Sequence, residues 1–249
     1  MLTKRLEISR LKVTEDPEGL HLRAIEVDLR RRKRMVRKNV IVVTAGLGLD
    51  ANDEFKLSYA FEAILRWVRA HLREQDMIFL PPAPSYGATR NDGARKCEGE
   101  FADEWLQREG IPASQVKSLG IKGEHYLDGD TRRGNAYGTK KALKEGLLAP
   151  DAENILVVYY LQALRALTVF TQEGVQVSRV VAIQPINTPD EDQKMVPQLK
   201  YYNQRWLHVL YEMAATMMFA TELDKLVYEF APAIRSNDAQ GRANKWLKP

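Results

Sequence analysis

Cysteine is nearly absent from this sequence, since Cys97 is the only one among 249 residues. A single cysteine excludes an intrachain disulfide, so the fold gains no stability from an oxidising compartment. A nucleophilic thiol needs a positive, partly exposed environment. Arg95 and Lys96 precede Cys97, but no histidine stands near it. The sequence therefore favours a buried or incidental thiol over a catalytic one.

Long apolar runs are also missing. No stretch reaches the roughly 18 residues that a membrane helix needs, and the longest candidate, 213–221, is short and flanked by Glu212 and Glu222. The first seven residues, MLTKRLE, lack the apolar stretch of a secretory signal. We therefore predict a cytoplasmic protein without a transmembrane segment.

Recognisable metal and nucleotide motifs are lacking as well: the chain has no HExxH, CxxC or GxxxxGK[ST]. Of the four histidines, only His125 has carboxylates nearby, at Glu124 and Asp128. One histidine with nearby carboxylates is too little for a metal site. We predict no metal centre.

The net charge of +4 and the pI near 9.0 permit an anionic ligand but do not require one. Seven of the nine residues 30–38 are Lys or Arg. Such a tract suits nucleic acid or an anionic membrane surface, or it is a solvated connector leading into the first core strand. Because no aromatic residues interleave with the charges, the connector is favoured and nucleic-acid binding is the weaker interpretation.

The hydrophobic pattern from residue 39 onward alternates between strands and helices, which predicts an α/β fold. Strand, helix, strand in this order favours a Rossmann-like, doubly wound, mainly parallel sheet. Strands are predicted at 40–45, 77–80, 116–121, 154–159 and 175–183, and helices at 53–72, 97–109, 133–146 and 161–173.

Both ends of the chain differ from this middle. Residues 20–27 alternate like a half-exposed strand, and 197–231 are helical in composition. We therefore divide the chain into an N-terminal extension with the basic tract (1–38), an α/β domain (39–190) and a C-terminal helical extension (191–249). The extension carries a dense aromatic and aliphatic pattern that is typical of core or of a dimer face, made by Tyr201, Tyr202, Trp206, Leu207, Leu210, Tyr211 and Met213.

Polar residues follow the predicted strands in series from Glu98 to Arg165. In a doubly wound sheet such positions lie at the carboxyl ends of the strands, where ligand sites gather. Glu98 opens one predicted helix, and Asp130, Thr131 and Asn135 open another. Gln162 and Arg165 follow the strand 154–159.

Gly46 and Gly48 follow the first core strand and let the backbone approach an anionic group. A full dinucleotide fingerprint would place a third glycine at position 51, which is alanine. Asp50 and Asp53 near the helix start would repel a pyrophosphate but serve well as caps. The pattern thus argues against dinucleotide binding.

Arg165 lies between apolar helical positions, so its charge must be paired or must reach solvent. Glu98 or an anionic ligand is a candidate partner. The alternative is a side chain that extends to the surface along its apolar neighbours.

The order of these motifs resembles the DUF218 family, the YdcF-like and SanA-like proteins, over about 39–185. The family has an apolar strand and a small-residue turn, then a helix beginning Arg-Leu-x-x-Ala, which Lys56-Leu57-Ser58-Tyr59-Ala60 matches. Its Ser-Glu-Ala signature corresponds to Cys97-Glu98-Gly99, twelve residues ahead of a Gly-Ile-Pro turn at 110–112. Its His-x-x-Arg-Ala and Phe-x-x-x-Gly correspond to 162–166 and 170–174.

The chain departs from the family at three places. Gln162 stands where the family has histidine, and Pro82-Ala83-Pro84 stands near its usual Ser-Gly-Gly. The family's Thr-x-x-Asn is stretched by one residue between Thr131 and Asn135. A glutamine cannot act as a general base, which favours ligand binding over catalysis and leaves open whether the chain is an enzyme.

The resemblance implies a Rossmann-like fold, a link to cell-envelope metabolism, and S-adenosylmethionine or another nucleotide-like ligand as the cofactor. We therefore expect a small anionic or nucleotide-like ligand at the carboxyl ends of the strands. The alternative is a non-catalytic interaction protein that uses its C-terminal helices as a partner or homodimer face. The expected ligand-binding residues are Gly46, Gly48, Lys56, Glu98, Asp130, Thr131, Asn135, Gln162 and Arg165.

Overall fold

The computed structural model describes residues 10–15, 22–29, 38–44, 56–81, 98–119, 131–186 and 205–221. The strands in these ranges are β1 Arg10–Glu15, β2 Leu22–Asp28, β3 Asn39–Val43, β4 Met77–Leu80, β5 Val116–Ser118, β6 Glu153–Tyr159 and β7 Arg179–Pro185. The α-helices are α1 Tyr59–His71, α2 Glu98–Arg108, α3 Thr131–Lys144, α4 Ala163–Gln172 and α5 Arg205–Ala220.

The seven strands of the described ranges form one sheet in the order β1-β2-β7-β6-β3-β4-β5. The five strands from β3 to β7 pair in parallel, and β2 and β1 add to the β7 edge as an antiparallel hairpin. Among the parallel strands the first, β3, is central, and the chain builds outward first to β4 and β5 and then to β6 and β7. This is the Rossmann order. The predicted α/β class and the mainly parallel, Rossmann-like sheet are confirmed.

The central strands are buried on both faces, as their β-branched runs predict. Ile41 and Val43 of β3 face one core with α1 and α2. Val40 and Val42 face the other core with α3, α4 and α5. Because successive side chains of a strand point to opposite faces of the sheet, β3 packs against a layer of helices on each face.

Local signals set the helix ends. Ser58 caps α1, because its Oγ accepts a hydrogen bond from Phe61 N at 3.3 Å. Gly174, after α4, has φ +79° and thereby ends the helix in the left-handed region.

Several predicted boundaries move. Helix α1, predicted from residue 53, begins at Tyr59, because Ser58 is extended and caps it. The helix predicted at 161–173 begins at Ala163, because residues 160–162 form a 3₁₀ turn. β7 begins at Arg179 rather than at 175, because Val175 N bonds back to Phe170 O while Val175 and Val177 are buried beside α4. The first part of the alternating apolar run 175–183 is therefore a buried connection between α4 and β7 rather than strand.

The hairpin at the N-terminus belongs to the same sheet. Strand β2 matches the predicted 20–27 strand, and its Leu22 and Ala24 are fully buried in the core shared with α1. Strand β1 was not predicted, and its apolar residues Leu11 and Val13 are more than half exposed. None of the described helices has both the length and the apolar character required to cross a bilayer.

Candidate functional site

The predicted polar series, from Glu98 to Arg165, lies in segments that follow the strands at the carboxyl edge of the parallel sheet. Strands β3, β4, β5 and β6 run in parallel, so their following connections all leave from the same edge. The order of strands reverses between β3 and β6. Connections on the two sides of such a switch point separate and leave a crevice, where ligands bind in doubly wound sheets.

Glu98, Asn135 and Gln162 are all fully buried at 0% exposure. Glu98 is the first residue of α2, after β4, and there a carboxylate is favoured by the positive end of the helix. Asn135 lies in the second turn of α3, after β5, and Gln162 lies in the 3₁₀ turn after β6. Three connections that leave the same edge therefore each bury a polar side chain.

Thr44 adds a fourth buried polar residue, directly after β3 and 1% exposed. Its backbone N–H donates to Val157 O of β6 at 3.1 Å, and its hydroxyl lies 3.4 Å from the same oxygen. Thr44 thus ties β3 to β6 at the switch point itself. Thr44 was not among the predicted site residues, although a hydroxyl at the end of a buried apolar run was a usable signal.

Arg165 is buried, and its described ionic partner is Glu212 of α5. Arg165 Nη2 donates to Glu212 Oε1 at 2.9 Å, and Arg165 Nε lies 2.9 Å from Glu212 Oε2. Both side chains are 4% exposed. The guanidinium carbon also lies 5.5 Å from the centre of the Tyr211 ring.

This pair changes the expected role of Arg165. The alternative of a side chain that extends to the surface is wrong, because Arg165 is buried. The expectation that the charge needs a partner is confirmed, and Glu212 of α5 is such a partner. Arg165 therefore holds α5 against the start of α4, three residues after Gln162, and its charge is already balanced.

Glu212 was not among the residues predicted to pair with Arg165. It is the only acidic residue in α5 and stands between Tyr211 and Met213. A lone carboxylate within an apolar helix signals a buried pair, because its burial needs a compensating charge. The sequence does not say which cation, since Arg165 lies 47 residues earlier.

The other predicted residues fall in different places. Lys56 lies in the chain before α1 and is exposed. Thr131 is the first residue of α3, and only its backbone position is described. Gly46, Gly48 and Asp130 lie outside the described residues. The structure thus brings Glu98, Asn135 and Gln162 to one edge and leaves the glycine part of the prediction untested.

The opposite edge carries a different polar cluster around Asp76, which precedes β4. Arg73 Nη2 and Nε donate to its carboxylate at 2.8 and 2.9 Å, and Asn39 N donates to it at 3.1 Å. Burial alone would raise the pKa of Asp76, but these hydrogen bonds and the Arg73 charge hold it below its ordinary value.

Gln115, directly before β5, connects this cluster to that strand. Gln115 Nε2 donates to the carbonyls of Arg73, Glu74 and Asp76. The cluster therefore fastens the amino ends of β3, β4 and β5 together, which is a structural role.

Comparisons with protein-family models, curated proteins and solved structures give no match to this chain. The resemblance to the DUF218 family therefore stays a prediction. Among the described residues, no group of three or more His, Cys, Asp and Glu side chains is placed to hold a metal ion.

Proposed function

We propose that this protein binds a small anionic or nucleotide-like ligand in the crevice between the connections that follow β3 and β6. The observation that supports this most directly is the burial of Glu98, Asn135 and Gln162, all at the carboxyl edge of the sheet. Each of the three also has an interaction within the protein, so packing accounts for part of their burial. Their positions after successive strands of a parallel sheet, at the edge where ligand sites gather, favour a site there.

The proposed site offers both donors and acceptors. The amides of Asn135 and Gln162 carry both, and an ionised Glu98 accepts only. The N-terminus of the 14-residue helix α3 adds backbone N–H groups that suit an anionic portion of the ligand. S-adenosylmethionine or a related nucleotide-like molecule has hydroxyl, amino and carboxylate groups that fit this set.

The proposal is one of binding, with an envelope-related role implied by the resemblance. Gln162 neither takes nor releases a proton at neutral pH, so it cannot replace the imidazole of the family's histidine. Arg165 acts in this proposal as a positioning residue, because Glu212 already balances its charge. It keeps the 160–162 turn and the start of α4 in place.

A thermal-shift panel with matched asparagine variants tests the proposal. The panel contains S-adenosylmethionine, nucleotides, sugar nucleotides and polyprenyl phosphates, because a ligand that binds the native state raises the melting temperature by mass action. We expect at least one compound to stabilise the wild type and Asn135→Ala to remove that shift. Gln162→Ala should act in the same direction.

The control is Asn154→Ala. Asn154 is also buried, but it lies at the amino end of β6, where its Nδ2 donates to Gln176 O at 2.9 Å. Its loss should lower the melting temperature while preserving the ligand-induced shift. If no compound shifts the wild type, or if Asn135→Ala and Asn154→Ala respond alike to the ligand, the proposed site is wrong.

A further inference from the structure

In an ordinary surface helix, charged residues face water and apolar residues face the core. Helix α5 shows the opposite arrangement. Between Val209 and Ala220 its only charged residue is Glu212, which is buried against Arg165. Its solvent face carries Leu210, Met213 and Met217, exposed by 54%, 58% and 68%. A surface helix normally presents charged and polar residues to water, so this face has the composition of one that is covered.

The exposed apolar surface extends onto α4. Leu164 is 65% exposed, and between the two helices lies an open groove of about 270 Å³. The groove is lined by Leu161, Leu164, Val209, Met213 and Met217, together with Glu212 and Thr216. A ridge of apolar side chains and an apolar groove thus lie side by side on one surface, which we call the α4/α5 face.

We propose that the α4/α5 face binds a second copy of this chain in a two-fold homodimer. The apolar positions Leu210, Met213, Met217 and Ala220 are spaced by three, four and three residues, the spacing of a helix–helix seam. A two-fold interface must be self-complementary. The ridge of one copy facing the groove of the other meets that requirement, with Met213 near the axis.

Electrostatics favours the same occupant. No charged side chain of 209–220 faces outward, so two copies of α5 can approach each other without opposing like charges. The small side chains Ala214 and Ala220 are exposed on this face and permit close contact. A helix that lies on a membrane carries lysine and arginine on its polar face. Helix α5 has no lysine, and its one arginine is its first residue.

The exposed area fits a weak dimer. A whole Leu or Met side chain carries roughly 100 Å² of apolar surface. Four such side chains at 54–68% exposure therefore bring roughly 500 Å² of apolar surface from two copies together. A standard interface buries about 1,600 Å² in total, of which a little over half is apolar. The face therefore supplies the centre of a small interface with an affinity on the order of micromolar.

Sedimentation equilibrium from about 1 to about 200 µM tests the proposal, since this range spans weak assembly. We expect wild type to shift from monomer to dimer with concentration. Met213→Glu and Leu164→Glu should each remain monomeric, because each buries a charge at the seam. The control Leu11→Glu places the same charge on strand β1, where Leu11 is 63% exposed, and should dimerise like wild type.

Cross-linking gives a second readout that does not depend on a charged variant folding. In a Cys97→Ser background, Met213→Cys should form a disulfide-linked dimer when copper phenanthroline and oxygen accept the two electrons. Leu11→Cys should not. Monomeric wild type at about 200 µM without a Met213→Cys dimer overturns the proposal. The proposal is also overturned if wild type stays monomeric but sediments with phosphatidylglycerol vesicles, and Met213→Glu abolishes that sedimentation.

Discussion

The Arg165–Glu212 pair joins two helices that are far apart in sequence, and both of its charges are removed from water. Removing two charges from water carries a large desolvation cost, which their mutual attraction and hydrogen bonds offset only when the geometry is good. One 2.9 Å hydrogen bond from Nη2 to Oε1, together with a 2.9 Å ionic contact between Nε and Oε2, holds the two charges together. The pair thus specifies where α5 lies more than it adds to stability.

We expect Arg165→Ala and Glu212→Ala each to lower the free energy of unfolding by about 3–5 kcal/mol, because each leaves an uncompensated buried charge. The double variant Arg165→Met, Glu212→Leu should lose less than either single variant. Urea denaturation followed by circular dichroism measures all three. If the double variant instead loses as much free energy of unfolding as the two single variants together, the two side chains do not depend on each other.

Asp76 offers a pH-dependent measure of the opposite edge of the sheet. Its pKa lies below the ordinary value of 3.8 because the hydrogen bonds from Arg73 and Asn39 outweigh the effect of burial. A lowered pKa in the folded state stabilises the protein above the unfolded pKa. That contribution is lost as the pH falls through the folded pKa.

We therefore expect Asp76→Asn to lower the free energy of unfolding by about 1.5–3 kcal/mol at pH 7, the range for hydrogen bonds to a charged group. The difference from wild type should shrink as the pH falls below about 4. Urea midpoints between pH 3 and pH 7 report this. Asp151→Asn, at an exposed position, is the control and should change little; a pH-independent loss at Asp76 would contradict the assignment.

At the scale of elements, the β1–β2 hairpin shows how one short extension can be half core and half surface. Strand β2 pairs with β7 along its whole length and places Leu22 under α1. Strand β1 pairs only with β2 among the described strands, and Leu11 points away from the core. Position in the sheet, rather than side-chain type, decides what each leucine contributes.

Leu22→Ala should lower the free energy of unfolding by about 2–5 kcal/mol, because it leaves a cavity in a fully buried site. Leu11→Ala should stay within about 0.5 kcal/mol of wild type, because its side chain is already hydrated. Urea denaturation of the two variants compares the same substitution in neighbouring strands. Similar losses at both positions would show that β1 is covered in solution.

At the scale of the whole molecule, β3 and β6 are the central pair of the sheet. Strands β4 and β5 lie on one side of this pair, and β7, β2 and β1 lie on the other. The central pair is buried on both faces, and Thr44 continues it beyond the last residue of β3. The same reversal of strand order that makes β3 central creates the switch point at which we propose the ligand site.

Amide hydrogen exchange followed by mass spectrometry should therefore find the slowest exchange in β3 and β6. These amides open only in large-scale unfolding. The amides of β1 should exchange fastest among the strands, because that strand lies at an edge. Equal protection of β1 and β3 would contradict this order of stability.

Much of the fold was predictable because its signals are local. The apolar run 40–43 reads as a strand buried on both faces, and Gly174 marks the end of α4. Glu98, Asn135 and Gln162 were predictable as site candidates because a parallel sheet sends all its carboxyl ends to one edge. Their complete burial was not predictable, since it depends on how the helices cover that edge.

The sequence by itself determined the α/β class, most of the strand and helix positions, and the edge at which the polar series lies. These follow from periodicity and from capping residues, which act over a few positions. Only the tertiary structure decided that Arg165 pairs with Glu212 and that α5 turns Leu210, Met213 and Met217 outward. Those outcomes depend on contacts between segments dozens of residues apart, which no local pattern encodes.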